Sequence, residues 1–154
     1  MAFCAGDMAT FRSSGPCPGD GLVNLYRAIA TVDGRECPAR TAPEITAAGL
    51  AGDCPISREA LDTFCALLGA AAGDVALFFG ARGGIFVGGG IVPRMVGHLE
   101  RTEFRRRFEA KGRFQPYVAA IPTMVVLQPD PAFLGLAALA GSAIRRCEDG
   151  RARG

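Results

Sequence analysis

Apolar residues recur at helical spacing through most of this chain and at strand length in only two places. Leu22, Leu25, Tyr26, Ile29 and Val32 fall on one helix face, with Asp20 placed as an N-cap and Gly34 as the stop. Thr41-Ala42-Pro43-Glu44 is a capping-box pattern with proline near the helix start, and predicts a short helix through Ala48 or Leu50. Ser57 reads as the cap of a longer helix over about Arg58–Phe79. Leu61, Phe64, Cys65, Leu68, Ala72, Val75, Ala76 and Phe79 keep one register along it. Gly69 and Gly73 interrupt that register, each weakening a helix by about 1 kcal/mol relative to alanine.

The pattern changes after a turn at Gly80–Gly84. Ile85–Val87 reads as a short buried strand, followed by three consecutive glycines and a helix over Pro93–Leu99. Further helices are predicted over Thr102–Ala110, ending at Gly112, and over Gln115–Ala119. Thr123–Leu127 is a second apolar strand flanked by prolines. Pro131–Arg146 is the last helix. Phe133, Leu136, Ala137, Ala140 and Ile144 line one face and Leu134, Ala138 and Gly141 the other, which predicts burial all round. Strand, helix, strand, helix argues for a partly parallel α/β layer. Two strands make a poor sheet alone, so the chain is expected to be part of a domain. Residues 1–20 lack periodicity and are expected to be irregular, 21–146 to form the partial domain, and 147–154 a frayed polar tail.

Composition narrows the class without identifying it. Hydrophobic residues make up 49% and charged residues 21% of the 154 positions, a globular balance. A formal charge of +2 argues against a nucleic-acid or membrane-surface partner. The basic run Arg101, Arg105, Arg106, Arg107, Lys111 and Arg113 is interrupted by Glu103 and Glu109. It reads as a solvated helix face with ion pairs such as Glu103–Arg107. The six cysteines have no C-x-x-C spacing and His98 is the only histidine, so no metal site is expected. Cys65 falls on an apolar helix face and is expected to be buried. With no basic region followed by an apolar run at the N-terminus, and with Ile85–Val92 and Phe133–Ile144 too short to span a bilayer, a cytoplasmic chain with free thiols is expected.

Gly88-Gly89-Gly90 is the candidate site. Glycines admit a ligand close to the backbone, and a helix beginning just beyond them would turn unpaired N–H groups toward the same gap. Pro93 suits the first turn of that helix. A nucleotide or phosphate site and a ligand-free β–α turn both fit these residues. A dinucleotide-binding unit fits less well, because Gly83–Gly90 lacks the Gly-x-Gly-x-x-Gly spacing and no acidic residue follows about 20 positions on in a second strand.

Several segments in order resemble the C-terminal part of bacterial ATP-dependent glucokinases, of the hexokinase–actin–Hsp70 ATPase superfamily. They are Gly21-Leu22-Val23-Asn24-Leu25-Tyr26-Arg27-Ala28-Ile29, Gly83–Arg94, Phe108-Glu109-Ala110-Lys111-Gly112-Arg113-Phe114, Ile121-Pro122 and Leu134-Gly135-Leu136-Ala137. The resemblance implies an α/β fold, an incomplete RNase H-like C-terminal lobe of a sugar kinase, helix-rich with two or more short strands. It implies Gly88, Gly89 and Gly90 as nucleotide-binding residues, ATP and Mg²⁺ as cofactors, and glucose as phosphoryl acceptor. A homodimer or a separate N-terminal half is the implied partner.

The chain departs from that family's pattern where the chemistry resides. It contains no Gly-Asp-x-Gly-Gly-Thr-Asn phosphate loop, no Asn-Asp pair carrying the catalytic base, and no Glu-Gly-Gly-His sugar clamp. No Glu precedes Ser14-Gly15-Pro16-Cys17-Pro18-Gly19-Asp20-Gly21-Leu22. Asp53, Asp62, Asp74 and Asp130 read as helix-face or turn residues rather than substitute bases, and no catalytic residue is assigned. Lys111 and Arg113 are expected to form ion pairs between elements rather than to contact phosphate. The expectation is a glucokinase-type fragment inactive by itself. A non-catalytic nucleotide-binding or oligomerisation module is the alternative. If the chain is a fragment, the helices at 22–32, 58–79 and 132–146 are expected to expose apolar faces that missing strands would cover.

Overall fold

The computed structural model of the chain describes residues 20–128 and 131–140. Seven α-helices and two strands are present among them. Helix α1 spans Asp20–Val32, α2 Ala42–Ala51 and α3 Pro55–Phe79. Strand β1 is Ile85–Val87; α4 is Val96–Leu99, α5 Phe104–Glu109 and α6 Gln115–Ala119. Strand β2, Thr123–Val125, precedes α7, Pro131–Ala140. The strands pair in parallel, Ile85 opposite Thr123 and Val87 opposite Val125.

Helix α3 is the axis of the fold. Its buried Ala60, Leu61, Cys65, Ala72 and Ala76 meet Leu22 and Tyr26 of α1, Ile45 of α2, and Phe104 and Phe108 of α5. This helix is long and apolar enough, by length and composition, to cross a membrane. Its apolar residues are interspersed with small and polar ones rather than forming one unbroken run. Its packing on three sides is that of a core helix. The approach of α5 is unusually close: a Cβ on Gly69 would stand 2.1 Å from the Phe104 carbonyl oxygen, and one on Gly73 2.3 Å from that of Phe108. The two glycines that weaken α3 as an isolated helix are therefore what lets a second backbone lie against it.

Polar anchors fix the remaining elements around this contact. Thr41 N–H donates to Glu44 Oε2 at 2.7 Å, starting α2 at the predicted box. That interaction, with the Thr41 hydroxyl, holds the exposed Glu44 carboxyl below its ordinary pKa. Arg105 donates from Nη1 to the Ile121 carbonyl at 3.0 Å and from Nη2 to the Ala119 carbonyl at 2.8 Å. It thereby ties α5 to the segment entering β2. Lys111 Nζ donates to the Ala70 carbonyl at 2.7 Å and to Asp74 Oδ1 at 2.6 Å, tying the end of α5 back to α3.

The structure revises four expectations. The long helix starts at Pro55 with Cys54 as N-cap, and Ser57 is buried within its first turn instead of capping it. Pro55 at the first turn moves the start three residues earlier than the serine suggested. Glu103 pairs with Arg106, one position short of the expected Arg107, and Arg105 pairs with Glu109 while also reaching the segment that enters β2. The helix over Pro93–Leu99 divides into a 3₁₀ turn, Val92–Met95, and the single α turn of α4, with Met95 at φ −130° between them. The last helix is exposed along all of Pro131–Ala140: apolar residues ring it, but ringing fixes only what the helix could bury. The expected irregular start, the frayed tail, and residues 141–146 of the last helix lie outside the described residues.

Gly69→Ala is expected to destabilise the fold by about 1–3 kcal/mol through overpacking against the Phe104 carbonyl, in spite of alanine's better helix propensity. Gly97→Ala, where nothing lies within 4 Å of the new Cβ, should be neutral. Thermal denaturation followed by circular dichroism compares the two.

Candidate functional site

The glycine turn emerges from the sheet at a fixed point. Ile85 N–H donates to the Pro122 carbonyl and Val126 N–H to the Val87 carbonyl, both at 2.9 Å, so β1 is held at each end. Gly88 is half-buried, its Cβ position 3.7 Å from that of Val126. Gly89 takes φ +139°, a conformation that glycine alone adopts without strain. Gly89 and Gly90 are exposed, and no atom lies within 4 Å of where a Cβ would stand on either. Beyond the turn, Arg94 N–H donates to the Ile91 carbonyl at 3.1 Å, and Val92 and Met95 are buried. The result is an open backbone turn on a buried base. The helical elements after it are single turns, so the extended helix dipole expected there is missing; the turn itself is what a ligand would approach.

His98, one turn further, is nearly buried and faces α3. Its Nε2 lies 2.8 Å from Asp62 Oδ1, though out of line for a hydrogen bond, and Arg58 Nε lies 3.8 Å from Asp62 Oδ2. His98 thus brings the short α4 beside Asp62 of the long helix. The sequence offered no signal for this pair, because the two residues are 36 positions apart and on different elements. Asp74 is taken up by Lys111. Asp53 is exposed in the turn between α2 and α3, and Arg113 lies over the Phe114 ring at 5.0 Å from its centroid. Asp130 lies outside the described residues. Asp62 and Asp74 on α3 and Asp53 in the α2–α3 turn thus stand in the helix-face and turn positions read from the sequence. Among the described residues no three His, Cys, Asp or Glu side chains are grouped to hold a metal ion.

The thiols differ in chemistry. Burial, opposed by Thr102 and reinforced by Asp62, pushes the Cys65 thiol up to about 11. At Cys54 burial also acts upward, but the Ser57 hydroxyl and amide, the Arg40 guanidinium and the Ile56 amide outweigh it and hold the thiol below its ordinary value. Cys37, Cys54 and Cys65 are all free. Cys4, Cys17 and Cys147 lie outside the described residues.

A parallel strand pair, a helical layer and a glycine turn opening from the first strand define a helix-rich α/β fold, and comparison with known proteins shows its family. The glucokinase family model matches residues 14–143. The glucokinase of Paramagnetospirillum magneticum is 54% identical over 121 residues, 79% of this chain and 38% of that protein. That of Chromobacterium violaceum is 51% identical over 120 residues, 78% of this chain and 34% of its own length. The crystal structure of a glucokinase from an Antarctic psychrotroph superposes with a TM-score of 0.72 at 40% identity, covering 79% of this chain and 38% of the other. The chain belongs to the glucokinase family, and it spans little more than a third of the length of these relatives.

At about pH 7.5, a limiting amount of iodoacetamide should alkylate Cys54 at least about tenfold faster than Cys65, because the thiolate is the reacting form. Peptide mass spectrometry reads the ratio, which should collapse toward unity in denaturant.

Proposed function

We propose that this chain forms the nucleotide-side wall of a glucokinase, an RNase H-like lobe whose Gly88-Gly89-Gly90 turn lies against the adenosine end of ATP. The observation that carries this reading is the open, exposed turn at Gly89 and Gly90 on the buried base of Val87, Val92 and Met95. A flat nucleoside can approach such a backbone closely, and the apolar base keeps the turn from collapsing when it does.

In the complete enzyme the reaction is transfer of the ATP γ-phosphoryl group to the glucose 6-hydroxyl. That transfer needs the phosphates clamped, the hydroxyl aligned and a carboxylate to accept its proton. Asp62 and Asp74 are engaged by His98 with Arg58 and by Lys111, and neither faces the glycine turn together with a second polar group suited to substrate. Lys111, with its ammonium on the Ala70 carbonyl and on Asp74, has a bracing role between α3 and α5 rather than a phosphate-binding one. The described residues fit a nucleoside. They offer no grouped ligands for the Mg²⁺ that the family uses, and no step is assigned to that ion. The sugar clamp and catalytic base belong to the part of a glucokinase that this chain does not span, supplied by a separate N-terminal half or a full-length copy in the cytoplasm.

Isothermal titration with ADP at millimolar concentration tests the nucleotide wall. Saturable heat is expected from the chain, and loss of at least about tenfold in affinity with Gly90→Val, whose isopropyl group would occupy the open side of the turn. Absence of heat with the folded wild-type chain overturns the reading. In a coupled assay with ATP and glucose the chain alone should form no glucose 6-phosphate.

A further inference from the structure

Cys37 and Cys54 flank α2 in the chain, and the fold returns them to one place. Cys37 lies in the connection from α1 to α2, and Cys54 is the N-cap of α3. Both are half-buried, packed against the core that holds Leu22, Ile45 and Leu61. They share a neighbour in the buried Tyr26 of α1. The Tyr26 hydroxyl donates to the carbonyl of Pro38, next to Cys37 in the chain, at 3.4 Å, and is hydrogen-bonded with the Cys37 thiol as well. Burial, followed by the Cys37 and Cys54 sulfurs, raises the Tyr26 hydroxyl above its ordinary pKa, against the pull of the Arg40 guanidinium. Arg40 completes the group: its Nη1 donates to Ser57 Oγ at 3.4 Å, in the first turn of α3.

The surroundings give the two sulfurs different roles. Cys54 stands at the N-terminus of a 25-residue helix, where the Ser57 hydroxyl and the Ser57 and Ile56 amides turn toward it and Arg40 lies close by. Such groups stabilise negative charge on sulfur and so favour the nucleophilic thiolate. Cys37 lies within residues 35–40, which form neither helix nor strand. The bond from Tyr26 to Pro38 is long for an O–H donor and is a weak tether, so the Cys37 sulfur can advance without breaking a helix. Cys65 is the contrast. It is fully buried, its thiol stays protonated at neutral pH, and a polar oxidant does not reach it.

We propose that Cys54 and Cys37 form a redox-modification site, in which a small hydroperoxide oxidises Cys54 and Cys37 resolves the product as a disulfide across α2. The Cys54 thiolate attacks one oxygen of hydrogen peroxide. The S–O bond forms as the O–O bond breaks, sulfur loses two electrons, and the peroxide gains them and releases hydroxide. The Cys37 thiolate then attacks the Cys54 sulfur. The S–S bond forms as the S–O bond breaks, and a second hydroxide leaves. The protons given up by the two thiols convert both hydroxides to water, so two thiols and one peroxide yield one disulfide and two waters. Arg40 supports the attacking thiolate, and Tyr26 holds Cys37 beside it. A metal site is a poorer reading of the pair, because among the described residues no group of three His, Cys, Asp or Glu side chains forms. The site is independent of the glycine turn and of any nucleotide there.

The test treats the reduced full chain with equimolar hydrogen peroxide in the presence of a chelator, blocks remaining thiols with N-ethylmaleimide in denaturant, and maps peptides by mass spectrometry without reductant. The Cys37 peptide is expected joined to the Cys54 peptide, with Cys65 carrying the maleimide, and dithiothreitol should restore both thiols. Cys37→Ser should leave Cys54 as a sulfenic acid that dimedone traps, and Cys54→Ser should leave Cys37 reduced. Arg40→Met should slow oxidation of Cys54 at least about twofold. Circular dichroism establishes that each variant is folded; for one that is not, the wild-type map decides. Linkage of Cys54 to Cys4, Cys17 or Cys147 instead of Cys37 overturns the proposal. So does oxidation of Cys54 no faster than that of Cys65, or a Cys37–Cys54 link formed equally fast in the urea-unfolded chain.

Discussion

Gly69 and Gly73 bring the backbone of α5 against α3 at a distance that no side chain would permit. The rest of the structure follows from that contact. With α5 in place, Phe104 and Phe108 fill the interior beside Cys65 and Ala72, and Lys111 reaches the Ala70 carbonyl. Arg105, lying over the Phe108 ring, grips the carbonyls of Ala119 and Ile121 and so positions the chain as it enters β2. Strand β2 in turn holds β1, and β1 ends at Gly88. The glycine turn at the surface thus inherits its place from two glycines in the core. Their cost to helix propensity is small compared with the burial of two phenylalanines that they allow.

This arrangement separates support from chemistry. Several polar side chains among the described residues work between elements: Lys111 with Asp74, Arg105 with the Ala119 and Ile121 carbonyls, and His98 beside Asp62. The glycine turn offers backbone and open space instead. A ligand approaching such a turn would meet its shape and its amide groups rather than an acid or a base. The family assignment and the limited share of the relatives' length covered by the chain agree with that division.

Local signals were legible where the physics is local. The Thr41–Glu44 box, the Pro93 position, the left-handed stops at Gly34 and Gly80 and the strand after the Gly80–Gly84 turn all depend on a few neighbouring residues, and all were readable in the sequence. The resemblance to glucokinases likewise rested on short ordered segments. Signals that depend on distant partners were not legible. Ser57 looks like a cap until Pro55 and the packing around it are seen. Glu103 has two arginines within helical reach, and the demand on Arg105 from the β2 segment accompanies the choice. Helix α7 carries apolar residues on all sides, which predicts burial; it stands exposed because burial needs a surface to meet.

By itself, then, the sequence determined the helices, the two strands, the glycine turn and the family, since these follow from spacing, capping and short motifs. Tertiary structure alone decided that Gly69 and Gly73 are contact points rather than defects, that His98 faces Asp62, and that Lys111 braces α3. It also decided that Cys37 and Cys54 meet at the Tyr26 hydroxyl. Each of these is a relation between residues far apart in the chain, set by how closely two backbones approach, and periodicity along one segment carries no information about that distance.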